Sequence, residues 1–127
     1  MWFGYPSWSP DGSKLLLTAK DKFADTSYIV EYDFSAGSTS RLTAPDGSYA
    51  AVYSPDGKSF YSGRPGNFLV AETFEGGSET VISSLFSWGK VAWQNPEQLL
   101  YSAGLGGLRR VDIGNLSDDS LIFEDTY

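Results

Sequence analysis

An all-β fold assembled from three copies of one four-stranded unit is what this sequence predicts, on three observations. The string Pro6-Ser7-Trp8-Ser9-Pro10-Asp11-Gly12-Ser13-Lys14-Leu15-Leu16-Leu17 returns as Ala51-Val52-Tyr53-Ser54-Pro55-Asp56-Gly57-Lys58-Ser59-Phe60-Tyr61. It comes back once more, worn, as Val91-Ala92-Trp93-Gln94-Asn95-Pro96-Glu97-Gln98-Leu99-Leu100-Tyr101. Trp8, Tyr53 and Trp93 are 45 and 40 residues apart, and a second register mark, Asp33, Thr73 and Asp112, repeats at 40 and 39. Clusters of Pro, Gly, Asp, Asn and Ser interrupt the apolar runs about every 8 to 12 residues, which no amphipathic helical period survives. A period of about 40–45 residues with four strands in each is that of β-propeller blades.

Taken in order, each unit opens with a strand ending at its aromatic residue. The corner that follows is Ser-Pro-Asp-Gly in the first two units: proline presets φ, aspartate bonds back to the nearby backbone, and glycine accepts a positive φ. Next come the apolar second strands, rich in Leu, Phe and Tyr, and then the third strands Tyr28 to Asp33, Phe68 to Thr73 and Leu108 to Asp112. Their composition suits a pleated, half-buried surface. Gly-rich turns at Ser35-Ala36-Gly37, Glu75-Gly76-Gly77 and Gly114-Asn115 close them, ahead of final strands at Thr39 to Leu42, Glu79 to Ile82 and Ser120 to Glu124. Twelve strands result. The chain, 1–127, thus reads as one domain with blades over about residues 5–45, 46–86 and 87–127.

Composition narrows the chemistry. Without histidine or cysteine the chain cannot supply a Ser-His-Asp triad, a Cys-His pair, an imidazole or thiolate zinc site, or a redox dithiol. Sixteen acidic against nine basic residues give a formal charge of −7, which repels a phosphate backbone, so no nucleic-acid partner is expected. No apolar stretch approaches the roughly 20 residues that span a bilayer, and the N-terminus shows no basic-then-apolar leader pattern, so no membrane insertion is expected. Absence of disulfides leaves the compartment open.

The recurring motifs have simple readings. Asp11-Gly12, Asp46-Gly47 and Asp56-Gly57 are turn formers. Gly104-Leu105-Gly106-Gly107 joins two strands where a phosphate cradle requires a strand and then a helix, so it reads as a hairpin turn. The paired carboxylates Asp21 with Asp25, Asp118 with Asp119, and Glu124 with Asp125 read as solvated loop or terminal charges. None has the alternating spacing of a calcium loop. The sequon Asn115-Leu116-Ser117 matters only along a glycosylating route. Trp8, Tyr53 and Trp93 read as packing between blades, with sugar stacking as the alternative if an indole face is exposed. Arg109-Arg110 is the one local cluster of positive charge, and Arg64 occupies the comparable hairpin region one unit earlier. Together the three are candidates to receive an acidic peptide or a carboxylate, against the plainer role of rim salt bridges.

At its aromatic-Ser-Pro-Asp-Gly corners and its strands ending in Asp before a glycine turn, the sequence resembles the TolB-type β-propeller repeat. It is also similar to the propeller blades of prolyl oligopeptidases. The likeness runs from about Tyr5 to Glu124. It departs at Gln94-Asn95-Pro96-Glu97, where another turn type is expected, and at Thr73, which stands for the usual Asp. The resemblance implies a protein-binding scaffold working outside the bacterial cytoplasm. Neither catalysis nor a cofactor is expected.

Three blades cannot close a ring, since closed propellers have about 4 to 8. An open arc would leave the radial faces of its first and last blades in water, so the expectation is a twofold homodimer of half-propellers completing a six-bladed ring. Met1-Trp2-Phe3-Gly4-Tyr5 concentrates aromatics ahead of the first repeat, and Trp2, Phe3 and Tyr5 are candidates for the subunit junction, or equally for a cap on blade one in the same chain. Boundaries that fall between whole blades favour a self-contained unit over a fragment of a longer propeller. The expected function is binding of a protein or peptide at one ring face. The alternatives are the propeller portion of a prolyl-oligopeptidase-like enzyme, its triad on another domain, and a lectin with sugar between blades.

Overall fold

The computed structural model describes residues 2–22, 25–83, 86, 91–103 and 107–123, and these form strands and turns with no helix among them. The first sheet holds β1 (Trp2–Trp8), β2 (Lys14–Lys20), β3 (Ser27–Asp33) and β4 (Ser38–Arg41). A second holds β5 (Tyr49–Tyr53), β6 (Ser59–Arg64), β7 (Phe68–Thr73) and β8 (Ser78–Ile82), and a third β9 (Ala92–Asn95), β10 (Gln98–Ser102), β11 (Leu108–Asp112) and β12 (Asn115–Phe123). Each is a four-stranded antiparallel meander in chain order, one blade per sequence repeat. The fold is the all-β, three-bladed propeller segment expected.

Side-chain chemistry explains the corners. Ser9 Oγ donates to Asp11 Oδ1 at 2.8 Å and accepts the Lys14 amide at 3.0 Å, while Asp11 Oδ1 also accepts the Ser13 amide at 2.9 Å. Ser54 and Asp56 repeat the arrangement at 2.6 Å, with the Ser59 amide at 3.1 Å and the Lys58 amide at 2.9 Å. The serine therefore closes the loop on both sides. Gly12 and Gly57 take φ of 75° and 73°, the left-handed region that a Cβ disfavours.

Blade three turns differently, as its sequence suggested: Asn95 Oδ1 accepts the amides of Glu97 and Gln98 at 3.0 and 2.9 Å, shortening the hairpin to two residues. Thr73 still does the work of the missing aspartate, its Oγ1 accepting the Gly77 amide at 2.9 Å, where Asp33 Oδ1 accepts Ser35 and Ala36.

Three expectations change. β1 begins at Trp2, so the aromatics thought to precede the first repeat belong to its first strand, opposite Lys20 and Ala19. The last strand starts at Asn115 rather than Ser120, because Asp112 pairs with Asn115 across a two-residue turn before the register slips so that Val111 pairs with Asp119. Asp118 and Asp119 consequently lie on a strand and not in a loop. Gly104 to Gly106 and the Glu124-Asp125 pair fall outside the described residues.

Strand alternation gives every blade two apolar faces, and the blades stack through them. Leu16 and Ile29 of blade one enclose a cluster with Ala51, Tyr53 and Phe60 of blade two. The opposite face of blade two brings Val52, Tyr61 and Leu69 against Leu99, Tyr101 and Val111 of blade three. Blades one and two approach most closely at β1 and β5, which places these strands toward the propeller axis.

Candidate functional site

At the axial end of the first two blades, local strand irregularity shapes a cleft. The β1–β2 register shifts between Gly4 and Ser7, and the β5–β6 register shifts at the matching place, between Tyr49 and Val52. Both bulges carry a residue at positive φ, Tyr5 at 52° and Ala50 at 53°. The bend points the buried Ala50 amide at Thr18 Oγ1 of the preceding blade, 2.8 Å away, and so ties the two sheets. Next to this tie, Trp2 and Tyr5 meet edge-on at 6.2 Å and, with Lys20, Ser27, Tyr49 and Pro65, line a cleft of about 340 Å³. Gly63 makes room for the Tyr49 ring, which a Cβ there would overlap. Burial, with Tyr5 close by, pushes the Tyr49 phenol above its ordinary pKa.

A second cleft, about 430 Å³, opens at the corner end between the same blades and is lined by Asp11, Lys14, Glu31, Tyr53, Asp56 and Phe74. Tyr53 donates its hydroxyl to Glu31 Oε2 at 2.7 Å, and Lys14 lies 3.7 Å from Glu31 Oε1. Burial and then the Glu31 carboxylate hold the Tyr53 phenol neutral far into the alkaline range. The Ser13 and Ser9 donors hold exposed Asp11 down at about 2, and similar hydrogen bonds lower Asp56. These carboxylates are occupied by their own turns. Among the described residues no three acidic side chains converge as a metal site would require.

The three arginines do not form one patch. Arg64 is paired with Asp46 at 3.2 Å and, more closely, with Glu72. Arg109 Nε binds Asp119 Oδ1 at 3.0 Å, and the same carboxylate accepts the Tyr101 hydroxyl at 2.5 Å. Burial of Tyr101 and its bond to Asp119 raise that phenol's pKa, and Asp119 raises that of Arg109. Asp119 is therefore the hub of a packed network beside blade two, which the assumption of a solvated loop missed. Arg110, on the opposite face of β11, reaches only Gln94 Oε1 among the described residues, at 3.4 Å.

The aromatic register series splits by environment. Tyr53 is buried between blades, and Trp93 packs edge-on against Tyr61 at 5.1 Å while donating from Nε1 to the Tyr53 carbonyl at 2.9 Å. Trp8 is exposed and stacks on Phe34 at 5.3 Å. Of the proposed junction residues, Trp2 and Tyr5 line the cleft within the chain, whereas Phe3 shares a face with Ala19 on the open flank of blade one. Thr18 and Tyr49 escaped sequence reading. A hydroxyl at matching second-strand positions, Thr18 and Ser102, was the available signal.

No sequence profile of a protein family and no curated protein sequence matches the chain. Solved structures do match it. A TolB of Agrobacterium tumefaciens superposes with a TM-score of 0.76 at 19% identity, over 94% of this chain and 48% of that one. TolB of Acinetobacter baumannii gives 0.70 at 20% identity, over 87% of this chain and 30% of that one. An oligogalacturonate lyase in complex with manganese gives 0.66 at 18%, over 85% and 34%. The chain spans less than half the length of each of these, and the likeness establishes the β-propeller fold.

Proposed function

We propose that this chain is a non-catalytic β-propeller scaffold that binds an extended protein or peptide segment at the axial end, and that two copies complete a six-bladed ring. The observation that carries the reading is the cleft between blades one and two, where exposed Trp2 and Tyr5 stand in one wall, with Lys20 and Asp25 also lining it. Rigid aromatic side chains over a concave surface supply contact area at small entropic cost, and one charge of each sign at the edge suits a polypeptide better than a polyanion. The TolB-type likeness of the blades favours a setting outside the cytoplasm. The radial faces that three sheets leave uncovered support closure of the ring by a second copy.

Selection of a random dodecapeptide phage library on the 127-residue chain tests the binding reading. Recovered peptides should bind the native chain in calorimetry and lose about tenfold or more in affinity to Trp2→Ala. Recovery of no peptide, together with retention of oligosaccharides on a glycan array, would turn the assignment toward a lectin. A sedimentation mass of one chain at micromolar concentration would count against ring closure.

A further inference from the structure

The two blade contacts inside the chain describe what the uncovered blade faces are built to meet. Equivalent positions follow from the strand registers: Trp8 pairs with Leu15, Tyr53 with Phe60 and Trp93 with Leu99, which aligns the three second strands. On that alignment Thr18, Gly63 and Ser102 are equivalent, opposite Ile29, Leu69 and Leu108. Glu31, Ala71 and Arg110 are likewise equivalent, opposite Leu16, Tyr61 and Leu100.

At the first-strand aromatic and at the Ile29 position burial follows the neighbouring blade, whereas Glu31, Ala71 and Arg110 are all half-buried. Tyr53, covered by blade one, is 5% exposed, whereas Trp8, its counterpart on the open flank of blade one, is 59% exposed. On the receiving side Ile29 and Leu69 are 0% and 1% exposed, and Leu108 on the open flank of blade three is 37% exposed. One flank of the chain thus repeats the inserting face and the other repeats the receiving face. Not all of the blade-one flank is open, since Ala19, Tyr28 and Val30 are buried in a small cluster, with the Arg41 guanidinium 3.9 Å from the Tyr28 ring centre.

We propose that the open flank of blade one seats on the open flank of blade three of a second copy, twice per dimer, through a seam centred on Trp8 and Arg110. This rests on the ring-closure reading above and names its contacts. Carrying each internal contact one blade further round gives three. The Tyr5 amide, at the same positive φ as Ala50, donates to Ser102 Oγ of the second copy, as Ala50 does to Thr18. Trp8 Nε1 donates to the Trp93 carbonyl, as Trp93 Nε1 does to that of Tyr53. Where Tyr53 gives its hydroxyl to Glu31, the seam sets an indole against a guanidinium. Tyrosine donating to a carboxylate and tryptophan receiving a cation on its face are both complementary pairs, whereas a carboxylate in the place of Arg110 would set an anion against the negative face of the indole. Two three-bladed chains joined this way make six blades, within the closed range, while three chains would make nine.

Sedimentation equilibrium of the 127-residue chain from about 1 to 100 μM, with Trp8→Ala, Arg110→Glu and the surface control Lys58→Ala, tests the seam. Trp8 and Arg110 make no buried contact within the chain that folding requires, and far-UV circular dichroism checks that each variant is native. The native chain and Lys58→Ala should be dimers. Trp8→Ala and Arg110→Glu should each weaken the dimer about a hundredfold, near tenfold at each of two seams, and Trp8→Lys combined with Arg110→Glu should regain part of the loss. A native dimer indifferent to both single changes overturns this seam while leaving ring closure standing. A native chain that stays single throughout overturns both.

Discussion

Thr18→Val isolates the hydrogen bond that ties blade one to blade two. Thr18 is 1% exposed and Ala50 is 3% exposed, so the Ala50 amide, 2.8 Å from Thr18 Oγ1, has little access to water once that oxygen is gone. Valine fills the same space, so no cavity forms and the cost is that of an unpaired buried donor, about 1–3 kcal/mol. Thr18→Ser is the counterpart: it keeps the acceptor and removes one methyl, at about 1 kcal/mol. For a domain of this size each kcal/mol lowers Tm by about 4 °C, so valine should cost about 8 °C and serine about 4 °C. Urea denaturation at fixed protein concentration should show a lower midpoint at unchanged slope, because assembly would otherwise enter the comparison. Amide exchange at Ala50 should accelerate in the valine variant and not in the serine variant. If serine proves the more damaging, or if Ala50 stays protected in the valine variant, the inter-blade bond is not what holds these sheets together.

Further outcomes follow from the corners and the core. Folded-state pKa values of Asp11, Asp33 and Asp56 lie below that of a free carboxyl, Asp11 at about 2 against 3.8, so what they contribute is present above pH 4 and fades as pH falls through the lowered values. NMR titration of their side-chain carboxyls should place all three midpoints below the ordinary aspartate value of 3.8, and midpoints at that value would refute the turn bonding. Gly57→Ala should cost about 1–2 kcal/mol through its φ of 73° alone, since the nearest atom to a new Cβ is Pro10 Cδ at 3.7 Å, and Gly57→Asn should recover much of that in urea melts. Phe60→Ala, which empties a 1%-exposed site against Phe74 at 5.3 Å, should cost about 3–5 kcal/mol by denaturation. In an alkaline difference spectrum Tyr53 and Tyr101 should be the last phenols to ionise, and Tyr53→Phe should remove a late step.

The repeat was legible because its signals are local. Serine, aspartate and glycine specify their corner within five residues, and a run such as Tyr28 to Asp33 forms a strand wherever it pairs. The departures were legible for the same reason: Asn95 and Thr73 close their turns through bonds of their own to amides two to four residues on. Reading failed where pairing between strands decides the outcome. Nothing near Asp119 in sequence shows that β12 begins five residues earlier than its pattern suggests, or that the slip in register brings that carboxylate to Tyr101 and Arg109. Arg64, Arg109 and Arg110 looked like a cluster, yet neighbours on a strand point to opposite faces, so adjacency in sequence separated the last two.

What the sequence determined by itself is the count of sheets, their order and the chemistry of each corner, since these depend on residues a few positions apart. Tertiary structure alone decided which aromatic is covered, Tyr53, and which is left in solvent, Trp8, although both end the same strand of the same repeat. Burial belongs to the blade that stands alongside, and no stretch of chain records its own neighbour across a sheet face.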